Sequence, residues 1–427
     1  MRKKIIVVGP ALSQTGYGEQ CRFALRALLA HEDLFDIYLK DLPWGKSSSL
    51  SPLDEERRWI DSLIKKTAVH LHSGGNFDVS LQVTIPNEWQ KIAPINIGYT
   101  AGIETTRVTP EWLLKSQLMN RIITISNHSK NVYGETSYIG INKETDEKSK
   151  LTCEAPIDVV HYPVRFYDPQ EIDLSLDFDF NFLTMAQWGP RKNLDNTIKW
   201  WVEEFLDDEV GLVVKTNLVK TSLIDRVHTQ EKLRQILSNY PQRKCKVYLI
   251  HGNMTPGELT SLFRHPQVKC LVSLTHGEGF GLPLFEAAYN GLPVMAPAWS
   301  GHVDFLSAPK KIRKKNKKAV TKMAPHFIKV DYELNPVPRQ VLWKDVIHEE
   351  ASWCYAKEES YKKQLRKTYT DHSRLKKQAL NLKSHLLDTY TTNSQYNAFV
   401  ESIKKECDFK MAENIDELFD SLLQSGS

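Results

Sequence analysis

The sequence predicts an α/β protein built as two doubly wound halves that face a central cleft. Three observations carry this prediction. Short apolar runs alternate with helical patterns along most of the 427 residues, which is the texture of βαβ units and parallel sheets. A chain of this length holds two ordinary domains, each with its own core. The series also breaks once, in the acidic, aperiodic stretch FYDPQEIDLSLDFDFN at residues 166–181, and then begins again.

In the first half, residues 1–165, Ile5–Val8 reads as the opening strand, followed by a loop and an amphipathic helix over Glu19–Ala30. Ala93–Ile97 and Ile122–Ile125 are further strands, and Val159–Tyr162 is another candidate. Residues 166–181 are the linker. The second half, residues 182–390, opens at Phe182–Met185 and continues through Val210–Val214, Val247–Ile250, Cys270–Leu274, Leu292–Met295 and Ile328–Val330. Beyond about residue 339 the chain becomes charged and tyrosine-rich, and Gln340–Cys354 and Lys357–Tyr390 read as surface helices. Residues 391–427 read as a helical segment, of which Ser394–Glu406 is expected to cross back to the first half.

Bulk properties exclude several classes. A net charge of +4 is mild for this length and does not by itself imply a polyanionic partner. The six cysteines are scattered, without CxxC pairs or metal-like clusters with histidine, and read as reduced packing residues. The apolar run in MRKKIIVVGP is too short for a signal peptide, and no segment reaches the length of a membrane helix. The expected location is the cytoplasm, or the host cytoplasm for a viral chain. No Walker loop, HExxH or GxSxG is present.

The chemistry concentrates in THGEGFGLPLFEAAYNGLPV, residues 275–294. The buried strand Cys270–Leu274 leads into a loop over His276–Gly281, and a helix opens at Leu282 or Pro283. Proline suits a first helical turn, and Gly291 suits the position just past a helix end. Free N–H groups and the helix dipole make such a helix start favourable for phosphate. Gly279 and Gly281 would let backbone approach a ligand without a Cβ clash. Glu278 lies in the loop and Glu286 about one turn into the helix, so two carboxylates flank a phosphate seat and can each accept from vicinal hydroxyls. The plain alternative is a capped helix with a solvated Glu286.

The pattern EGFGLPLFE followed by AAYNGLPVMAPAWSG resembles the second-domain signature of retaining GT-B glycosyltransferases, in particular family four, with its E-x7-E motif. That resemblance implies two Rossmann-like domains, a nucleotide-diphosphate sugar as co-substrate (UDP the expected nucleotide), and no metal or other cofactor. QTGYGEQCRFALRAL, residues 14–28, stands where the family places a glycine-rich loop, giving Gly16 and Gly18 to the donor phosphates, although a plain turn reads equally well. In residues 101–130 the resemblance brings Glu104 and Ser126 to the cleft, Ser126 being equally readable as a helix N-cap. WGPRKNLDN carries Lys192, matching the family lysine on the diphosphate, with Arg191 beside it. Where the family usually has a Gly-Arg pair this chain has Met185-Ala186-Gln187, and Lys215 is the substitute considered for the second clamp. HGNMTPGELTSLF places Gly252 to Glu258 near the nucleotide base. Phe280 and Leu282 complete the donor loop, with Glu278, Lys192 and Glu104 as catalytic candidates.

Two features stand apart. Asp177-Phe178-Asp179 forms a DxD, the metal motif of the other main glycosyltransferase fold, but it sits in the linker. Lys310, Lys311, Arg313, Lys314 and Lys315 belong to a strongly basic run in an apparent loop. It reads either as a solvated insertion or as a contact for a polyanionic acceptor such as DNA, or for an acidic membrane. The wording of the first loop also resembles glycosyltransferases of bacteriophages, some of which sugar-modify hydroxymethylcytosine in DNA. The expected acceptor is thus a saccharide, a lipid or modified DNA. A nucleotide-sugar epimerase or non-catalytic nucleotide-sugar-binding protein is the reading of another class, and a two-carboxylate hydrolase is disfavoured by the phosphate-type helix start.

Overall fold

The computed structural model describes residues 2–44, 54–141, 148–312 and 320–407. The first half runs β1 (Lys3–Gly9), α1 (Gly16–Leu29), β2 (Phe35–Asp41), α2 (Glu55–His72), β3 (Val79–Gln82), β4 (Ile95–Thr100), α3 (Pro110–Ser116), β5 (Arg121–Thr124), α4 (Asn127–Glu135), a hairpin of β6 (Tyr138–Ile141) and β7 (Lys148–Leu151), and β8 (Ile157–Val159). Its six-stranded parallel sheet has the order β2-β1-β3-β4-β5-β8. The run IIVV in β1 is apolar on both faces because both are covered. Ile5 and Val7 pack with Phe23 and Leu25 of α1, while Ile6 and Val8 pack with Tyr38 and Phe77. The sequence gives no expectation of β2 or β3. In β3 the polar Ser80 and Gln82 are buried and hydrogen-bonded, to Asn96 Oδ1 at 2.8 Å and to the Gln90 carbonyl at 2.6 Å, so a search for apolar runs passes over it.

The second half runs β9 (Asn181–Gln187), α5 (Leu194–Glu204), β10 (Gly211–Asn217), α6 (Leu223–Leu237), β11 (Lys246–Ile250), α7 (Pro256–Arg264), β12 (Val268–Val272), α8 (Leu282–Tyr289), β13 (Val294–Pro297), a hairpin of β14 (Ser307–Ile312) and β15 (Val320–Pro325), then β16 (Ile328–Val330), β17 (Tyr332–Pro336), β18 (Ser352–Ala356), α9 (Glu358–Thr370), α10 (His372–Thr389) and α11 (Thr392–Lys404). A second six-stranded parallel sheet has the order β11-β10-β9-β12-β13-β16.

Between β8 and β9 the chain has no regular structure, and Asp177 ties it down by accepting from Lys246 Nζ at 2.8 Å and the Tyr248 hydroxyl at 2.7 Å. After α10 the chain returns to the first sheet. Phe399 and Tyr396 of α11 set their rings 5.4 and 5.6 Å from Phe23 of α1, and Arg121 pairs with Glu406 at 2.8 Å. Residues 408–427 lie outside the described residues.

Two expectations are corrected here. Gln340–Cys354 is not a helix. It holds a single 3-10 turn at Arg339–Val341, a left-handed Asp345 (φ +61°) and the start of β18. Its apolar residues divide between two surfaces instead of forming one stripe: Val341 and Leu342 pack with Trp353, whereas Val346 joins Trp112 and Leu113 in the first half. The basic run is not simply a loop, because Lys310 and Lys311 lie exposed in β14, paired with Lys322 and Thr321 of β15. Arg313, Lys314 and Lys315 lie outside the described residues. Among the described residues no helix is long and apolar enough to cross a membrane.

Candidate active site

In each sheet the strand order reverses next to its first strand, between β1 and β3 and between β9 and β12. At such a point the crossovers leave toward opposite faces and open a crevice at the carboxyl ends of the strands. The two crevices face each other and form one cleft of about 1150 Å3. The loop after β1 brings Gly16 to it and the loop after β4 brings Glu104. The turn after β9 brings Arg191 and Lys192, and the loop after β12 brings Glu278 to Gly281.

Arg191 and Lys192 project from a 3-10 turn that closes on Asn193, whose φ of +52° starts α5. Asparagine tolerates this left-handed conformation, and its side-chain amide also donates to the Leu274 carbonyl at 3.2 Å, fastening the turn to the neighbouring loop. Lys192 Nζ donates to both oxygens of Glu278, at 2.6 and 2.8 Å. Arg191 reaches Glu278 at 3.5 Å and, across the cleft, Glu104 of the first half at 3.2 Å. Glu278 is only 6% exposed. Burial alone would raise its carboxyl, but Lys192 and then Arg191 outweigh that and hold it at about 2. Burial and the adjacent Arg191 draw the Lys192 ammonium below its ordinary value against the pull of Glu278. We take the pair as ionised, since a carboxylate with two cations this close does not hold its own proton.

Glu286, in α8, has a different environment. No hydrogen bond to its carboxylate is found among the described residues, and it is half-buried in the cleft wall. Burial, with a further contribution from the charge of Glu19, pushes its carboxyl up to about 7, and Arg165 opposes the shift. Glu19 itself is tied to Arg26 at 2.5 Å, Arg165 at 2.8 Å and Arg22 at 3.2 Å, so these cations are already committed.

The glycines divide by role. Gly281 has φ +95° at the N-cap of α8, a conformation that an L side chain resists. At Gly279 a Cβ would lie 2.7 Å from the Ala101 carbonyl, so this glycine admits the opposite half of the protein. Gly16 meets nothing within 4 Å. Phe280 is buried, its ring 4.8 Å from Phe305 and 5.1 Å from Tyr162, and Leu282 opens the helix.

Four candidates, Gly18, Lys215, Gly252 and Ser126, do not line the cleft. At Gly18 a Cβ would fall 2.0 Å from the Ser13 carbonyl, so its small size serves the packing of the loop under α1. Lys215 is turned away, donating to the Gly252 carbonyl at 2.6 Å, and Gly252 itself is outside the lining. Ser126 caps α4, accepting from Ser129 N at 3.2 Å. Lys310 and Lys311 also lie outside the cleft lining. Sequence reasoning missed Tyr17, Glu19, Glu88, Arg165 and Trp343, all of which line it. Only Tyr17 and Glu19 carried a signal, through their place in the glycine loop QTGYGEQ.

No protein-family model matches the chain, and no curated protein matches it by sequence. Solved structures do match. Sucrose-phosphate synthase from Thermosynechococcus elongatus has a TM-score of 0.59 at 11% identity, over 95% of this chain and 99% of that one. HepE from Anabaena, solved with UDP and glucose, has a TM-score of 0.56 at 11% identity over 95% and 100%. The lipopolysaccharide outer core galactosyltransferase WaaB has a TM-score of 0.53 at 13% identity over 95% and 100%. These neighbours are GT-B glycosyltransferases, and this chain has the same architecture, two Rossmann-like domains facing a central cleft.

Proposed function

We propose that the chain transfers a sugar from a nucleotide-diphosphate sugar, with UDP as the nucleotide, to an acceptor hydroxyl with retention at the anomeric carbon and without a metal. One observation carries the reading: Lys192 and Arg191 meet Glu278 at the reversal point of the second sheet, and Glu286 of α8 lines the same cleft. UDP-glucose bound in HepE supports it. Lys192 and Arg191 neutralise the departing diphosphate, where charge grows in the transition state, and the first turn of α8 adds its free N–H groups. Glu278, fixed by its two cations, accepts from hydroxyls of the donor sugar. Glu286 accepts from the ribose hydroxyls. The bond from the anomeric carbon to the diphosphate breaks, the acceptor oxygen bonds to that carbon on the same face, and the acceptor proton passes to the leaving diphosphate. Glu104 holds Arg191 from the acceptor side. The resemblance of EGFGLPLFE to retaining enzymes supports the stereochemistry.

The test is a panel of nucleotide sugars screened by thermal shift, followed by mass analysis of acceptors incubated with the stabilising donor. A mass gain of one sugar residue on the acceptor is expected, with α or β linkage matching the donor. Isomerised donor without transfer would establish the epimerase reading instead. Full activity in both Lys192→Ala and Glu286→Ala would refute the site.

A further inference from the structure

The cleft is also lined by Tyr17, Trp44, Glu88 and Trp343, which the donor reading leaves unused. The Tyr17 ring lies 4.6 Å from Trp44. Both pack against the cluster that contains Val346, as does Ile347, and these two residues come from the second domain on the segment between β17 and β18. That segment is anchored across the cleft, the Thr109 hydroxyl donating to the Asp345 carbonyl at 3.0 Å and Ser352 N to Thr106 Oγ1 at 3.0 Å. The Trp343 carbonyl accepts from Val346 N at 3.0 Å and Ile347 N at 2.8 Å, which places Trp343 beside them. Trp343 is nevertheless 58% exposed, a large apolar ring in a cleft wall with much of its area open to solvent. Glu88 lines the same cleft, is exposed, and has no ion pair among the described residues. Glu88 ends the short turn that follows Ile85, and Ile85 is buried in the same cluster as Val346, against which Tyr17 and Trp44 pack.

Charge decides what this part of the cleft accepts. The cations lining the cleft are Arg22, Arg26 and Arg165 around Glu19, Arg191 and Lys192 on Glu278, and Lys220 on the loop after β10. Arg191 is already paired with Glu104 and Glu278, whereas the carboxylate of Glu88 has no cation partner among the described residues. Phosphates or carboxylates on a ligand would meet repulsion there. Aromatic faces beside a carboxylate instead suit a ring that is apolar on its face and carries hydroxyls at its edge.

Resting on the glycosyl-transfer reading, we propose that this part of the cleft is the acceptor subsite and that it takes the ring of an uncharged saccharide. The apolar face of that ring lies against Trp44 and Trp343, and its hydroxyls donate to Glu88. The exposed lysines of β14 and β15 lie outside the cleft lining and take no part.

The experiment uses the full chain saturated with UDP and titrates, by calorimetry, a panel of neutral disaccharides (maltose, cellobiose, lactose), a glucuronate-containing disaccharide, and an oligonucleotide containing 5-hydroxymethylcytosine. At least one neutral disaccharide is expected to bind and to protect Trp343 from oxidation by N-bromosuccinimide. Its affinity is expected to fall at least tenfold in Trp343→Ala and in Glu88→Gln, with partial recovery in Trp343→Phe and UDP affinity unchanged in all three. UDP binding without any neutral saccharide binding, or a preference for the glucuronate or the oligonucleotide, would overturn the subsite and leave the donor reading standing. Failure of UDP itself to bind would instead remove the donor reading on which the subsite rests.

Discussion

Glu278 and Glu286 stand eight positions apart on one loop and one helix, yet their surroundings move them in opposite directions. Glu278 is held at about 2 although buried, because Lys192 and Arg191 from its own domain close on it. Glu286 is pushed up to about 7, because burial and the charge of Glu19 from the opposite domain meet only the partial relief of Arg165. A carboxylate matched to cations is a fixed anion, whereas one left to burial is poised to change with its ligand. The two therefore differ in what can disturb them, and that difference is open to experiment.

Removing the cation breaks one side of the comparison outright. Lys192→Ala is expected to lower kcat by about 100- to 1000-fold, the scale of losing one charge-stabilising donor at a departing group. A transfer assay with the identified donor checks this, and a loss under threefold would take Lys192 out of the reaction. Glu278→Gln attacks the same pair from the other partner and strands a half-buried ammonium. It is expected to cost about 3 kcal/mol of stability in a denaturant titration, and no loss would mean that the pair is not formed in solution.

Glu286 sharpens the other side through pH. Its ionised form accepts from the ribose hydroxyls, so UDP affinity should rise as pH passes upward through about 7 and then level off. The stability sign is opposite. The folded state holds a proton that the unfolded chain releases near its ordinary value of about 4.3, so Glu286 subtracts stability progressively from there to about 7. Glu286→Gln should flatten the affinity profile and raise Tm at pH 8 by about 2–4 °C, with little change near pH 4. A sloping profile in the variant would assign the titration to another group.

The glutamate pair was legible because everything that places it is local: a buried strand, a glycine loop, proline in the first helical turn and Gly291 beyond the last. What the sequence hid is non-local or polar. Nothing near Arg191 announces that Glu104 will reach it from the other domain. Lys215 read as a phosphate clamp by type, but its direction depends on where the Gly252 carbonyl falls. Val346 and Trp343 sit in a stretch that scores as helical, and only the docking of Val346 on the first half reveals an excursion between domains. The strand β3 is written in buried serine and glutamine, which an apolar pattern cannot find.

The smallest effect tests how the two glutamates come to differ. Gly279 lies between them, and a Cβ there would come within 2.7 Å of the Ala101 carbonyl, which is backbone and cannot swing aside. Gly279→Ala should therefore part the domains slightly at this contact, at about 1 kcal/mol of overpacking, and lower kcat/KM only a few-fold. The more telling readout is the pH midpoint of UDP binding. Glu278 draws both its cations from its own domain, so its charge should survive the parting. Glu286 draws part of its burial and all of its repulsion by Glu19 from the facing domain, so water entering the gap should return it toward the ordinary carboxylate range. The midpoint is then expected to move below 7 in Gly279→Ala while the stability cost of Glu278→Gln stays the same in that background. A midpoint that does not move would place the origin of the Glu286 shift within the second domain alone.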